Sequence, residues 1–342
     1  MPLAMQLSNP SRRLTLQLAA SSLAAPALPG ATAHAATAGA PARVSQAIAR
    51  FAALAPATSN CLIQVDSPNA PWSAAHQPDR QLFVGSSVKT FILAQFLRDV
   101  EAGREGLTEN QPADISDAVR SPGSPVFVGL SGKTPYRSVL EAMITHSDNT
   151  ATDIALGKVG PDRVRALIAE AGLKQTQIPN STRRLFSYLA GADYGVDLGW
   201  SGMERLARND TQGLKSRTNV INSQESMLST ASEMVHWYRQ ALTGKFFQKP
   251  DTLKEFRRIQ AMADAISPTV PQGLLAFGKG GSIDWENFHC MCFPGQMLVG
   301  KVPVGFCFTL NWTGGVSSDV RAPAFIAAVA DVLKEAALAV RA

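Results

Sequence analysis

Apolar side chains recur along this chain with two different periods. Over 42–55, Val44, Ile48, Phe51 and Leu54 stand three or four residues apart and predict an amphipathic helix. The run 60–65 then reads as a strand, closed by the turn residues Asp66, Ser67, Pro68 and Asn69, and a weaker strand is expected over 72–76. Helical spacing returns after Gly85, where Val88, Phe91, Ile92 and Phe96 predict a helix running to about 102. Residues 103–133 are rich in turn formers. Further helices are expected over 136–144 behind Pro135, around Ala151, Ile154, Ala155 and Val159, and from Pro161 to a stop at Gly172.

The stretch 174–228 shows no sustained period. It holds turn chemistry (Pro179-Asn180, Gly191, Gly195, Gly199) and scattered aromatics, and a structureless segment of that length inside a domain is usually functional. Pattern resumes at Ser229-Thr230, a cap for a helix through Met234, Trp237, Tyr238 and Leu242, followed by a helix from Lys249-Pro250 to about 266. Three β-rich runs come next, 274–279, 288–298 and 302–312, read as separated by Gly281, Gly295 and Gly300-Lys301. An apolar helix over about 322–340 closes the chain. Strands at both ends around a helical middle predict an α+β fold, an antiparallel sheet built from both chain ends with flanking helices, plus an all-helical lobe. The expected division is one domain over 36–342, with a sheet lobe of about 42–105 and 270–342 and a helical lobe of about 106–269.

Composition adds a compartment. Arg12 and Arg13 precede a mild Ala/Leu run, Ala33-His34-Ala35 offers a cleavage site, and no acidic residue falls in 1–35. This reads as an export signal over 1–35, twin-arginine or ordinary, and a periplasmic or secreted protein. The whole chain is 45% apolar and 17% charged, enough for a large core. A net charge of +5 with no basic run gives no sign of a nucleic-acid partner, and no apolar run after the leader approaches the length of a membrane span. The four cysteines, Cys61, Cys290, Cys292 and Cys307, form neither a disulfide scaffold nor a zinc pattern, leaving free thiols or one bridge to Cys307.

The candidate chemistry starts at Ser86-Ser87-Val88-Lys89. Lys89 follows Ser86 by three positions, so on a helix it leans back toward the hydroxyl. A serine becomes a nucleophile when a base takes its proton, and a lysine is that base once burial or a second cation lowers its pKa. The free N–H groups of a helix start would stabilise an oxyanion beside it. Alone, the same four residues also describe a capping serine and a surface lysine.

Two further motifs follow in order, Ser147-Asp148-Asn149 and Lys279-Gly280-Gly281. The three together resemble the Ser-x-x-Lys, Ser-Asp-Asn and Lys-Thr-Gly series of class A β-lactamases and penicillin-binding proteins, over about 42–342. Ser147 follows Ser86 by sixty-one positions, which suits the class A branch. The resemblance implies Ser86 as nucleophile, Lys89 as base and Ser147 as proton relay. It implies substrate binding by Asn149, Lys279, Gly281 and Ser282, with the backbone N–H groups of Ser86 and Ser282 as the oxyanion hole. Asp148 is expected to brace its loop through backbone bonds. Neither a Gly-x-Ser-x-Gly elbow nor a His-Glu-x-x-His motif is present.

Two departures bear on substrate. The family carries a water-activating glutamate in an Ω-shaped loop, with an asparagine one turn on. In 174–228 only Glu204 and Glu225 are available, and neither has that asparagine. Tyr188 and Tyr194 are further candidates there. Gly280 also replaces the hydroxyl residue that helps bind a β-lactam carboxylate, a role left to Ser282. The leading expectation is an exported serine hydrolase using an acyl-Ser86 intermediate, with β-lactam ring opening first. An esterase or D-amino-acid peptidase, or a non-catalytic binding domain, stand as alternatives. A monomer taking a small-molecule or peptide-like acyl substrate is expected, with no cofactor and no metal.

Overall fold

The computed structural model describes residues 39–55, 57–68 and 70–342. The export signal expected over 1–35 lies outside the described residues. Helix α1 (Ala42–Ala52) leads to strands β1 (Ser59–Val65), β2 (Trp72–His76) and the short β3 (Leu82–Phe83). A 3-10 turn, Gly85–Val88, then runs directly into α2 (Lys89–Glu101). A two-stranded ribbon, β4 (Pro112–Ile115) and β5 (Gly132–Pro135), precedes α3 (Tyr136–Thr145), α4 (Asn149–Val159) and α5 (Pro161–Glu170).

The patternless stretch is not structureless. It folds into α6 (Thr182–Leu189) and α7 (Gly199–Ala207) and ends in β6 (Leu228–Ser229), which pairs antiparallel with β3. Both helices are short, and Ser181 starts α6 by accepting the Arg184 N–H at 3.0 Å. Next come α8 (Ala231–Leu242) and α9 (Pro250–Gln260), the latter ending before the expected 266. Thr230 caps α8 by accepting the Glu233 N–H, as its position suggests. The Glu233 carboxylate turns outward instead and accepts the N–H groups of Lys174 and Gln175, tying the start of the middle segment to α8.

The C-terminal strands differ from expectation in one useful respect. β7 (Leu275–Gly278) and β8 (Gly281–Trp285) both pair with β9 (Phe288–Val299), so they form one edge strand interrupted at Lys279-Gly280. Gly281 and Gly295 therefore lie inside strands rather than between them. Gly295 faces a backbone neighbour so closely that a β-carbon would come within 2.3 Å of the Phe277 carbonyl oxygen. β10 (Val302–Thr313) completes an antiparallel sheet of order β2-β1-β10-β9-β7. α10 (Ser318–Arg341) closes the chain.

Both faces of the sheet are covered, which explains why β10 reads as a nearly continuous apolar run. One core joins Val44, Ile48 and Phe51 of α1 to Phe306 and Phe308 of β10 and to Phe325, Val329 and Leu333 of α10. The other joins Cys290, Cys292 and Cys307 to α8, α2 and the middle helices. Cys61 lies in the first core, on the opposite face from the other three, and all four thiols are free and buried. Among the described residues no helix is long and apolar enough to cross a membrane.

Candidate active site

The segment carrying Ser86 is fixed from two sides. Asn311 on β10 grips the strand before it, accepting the Phe83 N–H and donating to the Phe83 carbonyl, both at 2.9 Å. Gly85 then turns the chain at φ 55°, where a β-carbon would sit 2.9 Å from the Ser282 nitrogen. Gly281 answers it from β8: a β-carbon there would meet the Ser86 nitrogen at 2.9 Å. Backbone thus packs on backbone, and Ser87 locks the contact by donating its hydroxyl to the Lys279 carbonyl at 3.1 Å. Ser86 is half-buried in the 3-10 turn.

Lys89 is 0% exposed, unlike a surface lysine behind a capping serine. Its ammonium donates to the Ser147 carbonyl at 2.6 Å, the Ser147 hydroxyl at 3.2 Å and Asn149 Oδ1 at 2.7 Å. Burial, followed by the charge of Lys279, holds its pKa well below that of a free lysine, while Asp148 and Asp153 oppose the shift. Lys279 is 1% exposed, donates to the Gly280 carbonyl at 2.6 Å, and is pushed down to about 8 by burial.

The turn between α3 and α4 is built to present these acceptors. Ser147 occupies the left-handed region at φ 57°, uncommon outside glycine, and points its carbonyl at Lys89. Asp148 caps α4 through the Ala151 N–H and also accepts from Val126 and Phe127, bracing the loop in front of it. Asn149 donates its amide to the Pro122 carbonyl at 2.6 Å. The Ser147 hydroxyl, Asn149 and Lys89 therefore share direct hydrogen bonds, and Ser86, Gly281 and Ser282 share a backbone contact. Ser282 is exposed, and the alternation of β8 puts its side chain on the same face as Asp284, which holds Ser318 at the start of α10. Only its backbone adjoins the serine turn.

The two middle-segment glutamates differ in their surroundings. Glu225 is buried in a clamp, accepting the Asn180 N–H at 2.9 Å and its side-chain amide at 2.6 Å. Glu204 is part-exposed on α7. Tyr188 packs under the Arg217 guanidinium at 4.2 Å, and Tyr194 is exposed. The acid that sequence reasoning missed is Asp153, one helical turn beyond Asn149. It is buried, accepts the N–H groups of Thr182 at 2.6 Å and Arg183 at 3.0 Å, and is pushed up to about 6 by burial. Its signal was the i,i+4 spacing from Asn149 on an apolar helix. At the far end of the segment, Trp285 of β8 donates to the Arg217 carbonyl at 2.9 Å.

A family model described as the beta-lactamase enzyme family matches residues 43–290. The chain belongs to this family. Solved structures agree on the fold. A β-lactamase from Chitinophaga pinensis superposes with a TM-score of 0.66 at 16% identity, covering 86% of this chain and 99% of that one. One from Sphaerobacter thermophilus gives 0.64 at 17%, covering 86% and 95%. A mutant of PBP-A, solved as an acyl-enzyme complex with penicillin G, gives 0.63 at 15%, covering 85% and 95%. No curated protein matches the chain. Family membership and fold make it an enzyme of the β-lactamase-like serine hydrolase type.

Proposed function

We propose that this chain is an exported hydrolase that opens carbonyl–nitrogen or ester bonds through an acyl-Ser86 intermediate. The observation that carries the reading is the buried Lys89, its pKa depressed, hydrogen-bonded to Ser147 and Asn149 three residues after a serine at a tight turn. As a free amine, Lys89 keeps two N–H bonds, to the Ser147 carbonyl and Asn149 Oδ1, and its lone pair is left for a hydroxyl proton.

In the acylation step Lys89 takes the Ser86 proton while Oγ bonds to the substrate carbonyl carbon, whose π pair moves onto oxygen. The N–H groups of Ser86 and Ser282 hold that oxyanion. Such donors contribute roughly a hundred- to a thousandfold in rate. The carbonyl then re-forms, the leaving nitrogen or oxygen departs with the bonding pair and takes the Ser147 proton, and Lys89 returns its proton to Ser147. Water adds to the acyl carbon with Lys89 again as base, and Ser86 leaves with that proton. Lys279 supplies the positive charge that keeps Lys89 neutral. Small β-lactams or peptide-like acyl donors are the substrates, no cofactor takes part, and the working unit is a monomer outside the cytoplasm.

Two observations favour a second reading, an esterase or D-amino-acid peptidase with slow β-lactam turnover. Glu225 is held by Asn180 rather than left free to activate water, and position 280 has no hydroxyl. Incubation with a chromogenic cephalosporin and a p-nitrophenyl ester, followed by intact mass, separates the two. Sustained cephalosporin turnover supports the first, and ester turnover with a persistent cephalosporin adduct supports the second. Absence of both adduct and turnover with either probe removes the hydrolase reading and leaves a binding domain.

A further inference from the structure

The loop between α9 and β7 carries a single charged residue, Asp264. Its backbone N–H reaches the Thr145 carbonyl at 3.4 Å, in the last turn of α3 and two positions before Ser147. Its neighbour Ala265 covers Gly280 on the opposite wall, where a β-carbon on the glycine would come within 3.1 Å of the alanine methyl. Asp264 thus spans the rim between the Ser147 turn and the Lys279-Gly280 interruption. Its carboxylate is exposed, makes no hydrogen bond or ion pair among the described residues, and acts electrostatically on the Lys279 ammonium. His146 shares this rim and is also exposed.

These facts change what the rim offers an anion. A hydroxyl-bearing side chain at 280 meets Ala265, so the partner that would help Lys279 hold a carboxylate is replaced by packing. Lys279 is buried and spends a hydrogen bond on the Gly280 carbonyl, while Asp264 adds an exposed, unpaired negative charge within electrostatic reach of it. A substrate carboxylate arriving beside Lys279 also meets the exposed like charge of Asp264.

We propose that Asp264 sets the charge selectivity of the site, disfavouring acyl donors with a free carboxylate beside the scissile bond and favouring neutral or cationic ones. The proposal rests on the acyl-Ser86 reading for its kinetic form, but selectivity in binding is separable from chemistry.

The test compares penicillin G with its methyl ester at one pH, reading the rate of Ser86 acylation by mass. Asp264→Asn is expected to raise the rate with the free acid relative to the ester by roughly fivefold, the scale of one partly screened charge. The readout is the ratio of the two rates, since any effect passed through the lysine pair acts on both compounds alike, and Asp264→Glu keeps the parental ratio. The same pair is titrated calorimetrically against Ser86→Ala and the double variant Ser86→Ala/Asp264→Asn. Should neither compound acylate Ser86, the hydrolase reading fails while the binding ratio still decides on Asp264. An unchanged acid-to-ester ratio in both experiments, or an equal change for the two compounds, overturns the proposal.

Discussion

Gly281 lies so close to Ser86 that a β-carbon on it would come within 2.9 Å of the Ser86 nitrogen and 2.1 Å of the Val84 carbonyl oxygen. Gly281→Ala must therefore push β8 away from the serine turn. Because the backbones of the serine turn and of Ser282 would part, disrupting the proposed oxyanion hole, acylation is expected to fall about a hundredfold, the worth of an oxyanion donor. Stopped-flow acylation checks this, and a parental rate would show that the contact does not set the site.

The pH dependence follows from the two lysines. On the proposed mechanism acylation needs Lys89 as a free amine, so its rate is expected to rise with pH through the depressed Lys89 pKa. Removing the Lys279 charge lets that pKa rise, and in Lys279→Ala the rising limb moves to higher pH. Lys89→Ala is expected to slow acylation by roughly a hundred- to ten-thousandfold, the range of general-base contributions. A limb left in place in Lys279→Ala would contradict the coupling between the two amines.

Lysine 279 also leaves a mark on stability. Its folded pKa of about 8 lies below the ordinary 10.5, so between those values the unfolded chain binds more protons and stability rises with pH. Urea melts at pH 8 and pH 10 should show a smaller rise in Lys279→Met than in the parent. An identical rise in both would mean that the ammonium is not desolvated.

Much of the candidate site's geometry was legible because its residues are local in sequence. Ser86 and Lys89 share one turn, Ser147 and Asn149 share another, and Asp148 braces its loop as its position suggested. The antiparallel sheet from both chain ends followed from the change in apolar period. The middle segment was not legible, since α6 and α7 are short and separated by glycines, and the local Ser181 cap of α6 is completed by Asp153 on another helix, which receives its first N–H groups. No local pattern encodes a tertiary cap. The interruption at Lys279-Gly280 was read as a strand end for a similar reason, because its continuation is set by pairing with β9.

Asp153 therefore carries a structural expectation of its own. Asp153→Ala leaves the buried Thr182 and Arg183 N–H groups without acceptors, and unsatisfied groups of this kind cost about 2–4 kcal/mol together. Urea denaturation should show that loss, and limited proteolysis should begin within 174–228. Unchanged stability would mean that water replaces the carboxylate.

The two middle-segment glutamates are expected to be bystanders to water activation. Glu225→Gln weakens the clamp on Asn180 and lowers stability by about 1–2 kcal/mol, yet leaves deacylation within a factor of about two. Glu204→Gln changes neither. Single-turnover deacylation rates measure this, and a large loss in either variant would restore a glutamate base.

The proposed nucleophile, Ser86, admits the most direct test. The parent and Ser86→Ala are each treated with a chromogenic cephalosporin and a p-nitrophenyl ester, digested, and the acylated peptide sequenced by mass spectrometry. The acyl group is expected on Ser86 in the parent and on no residue in the variant, whose melting temperature stays at the parental value. An adduct on Ser87 or Ser147, or one that survives in Ser86→Ala, contradicts the account.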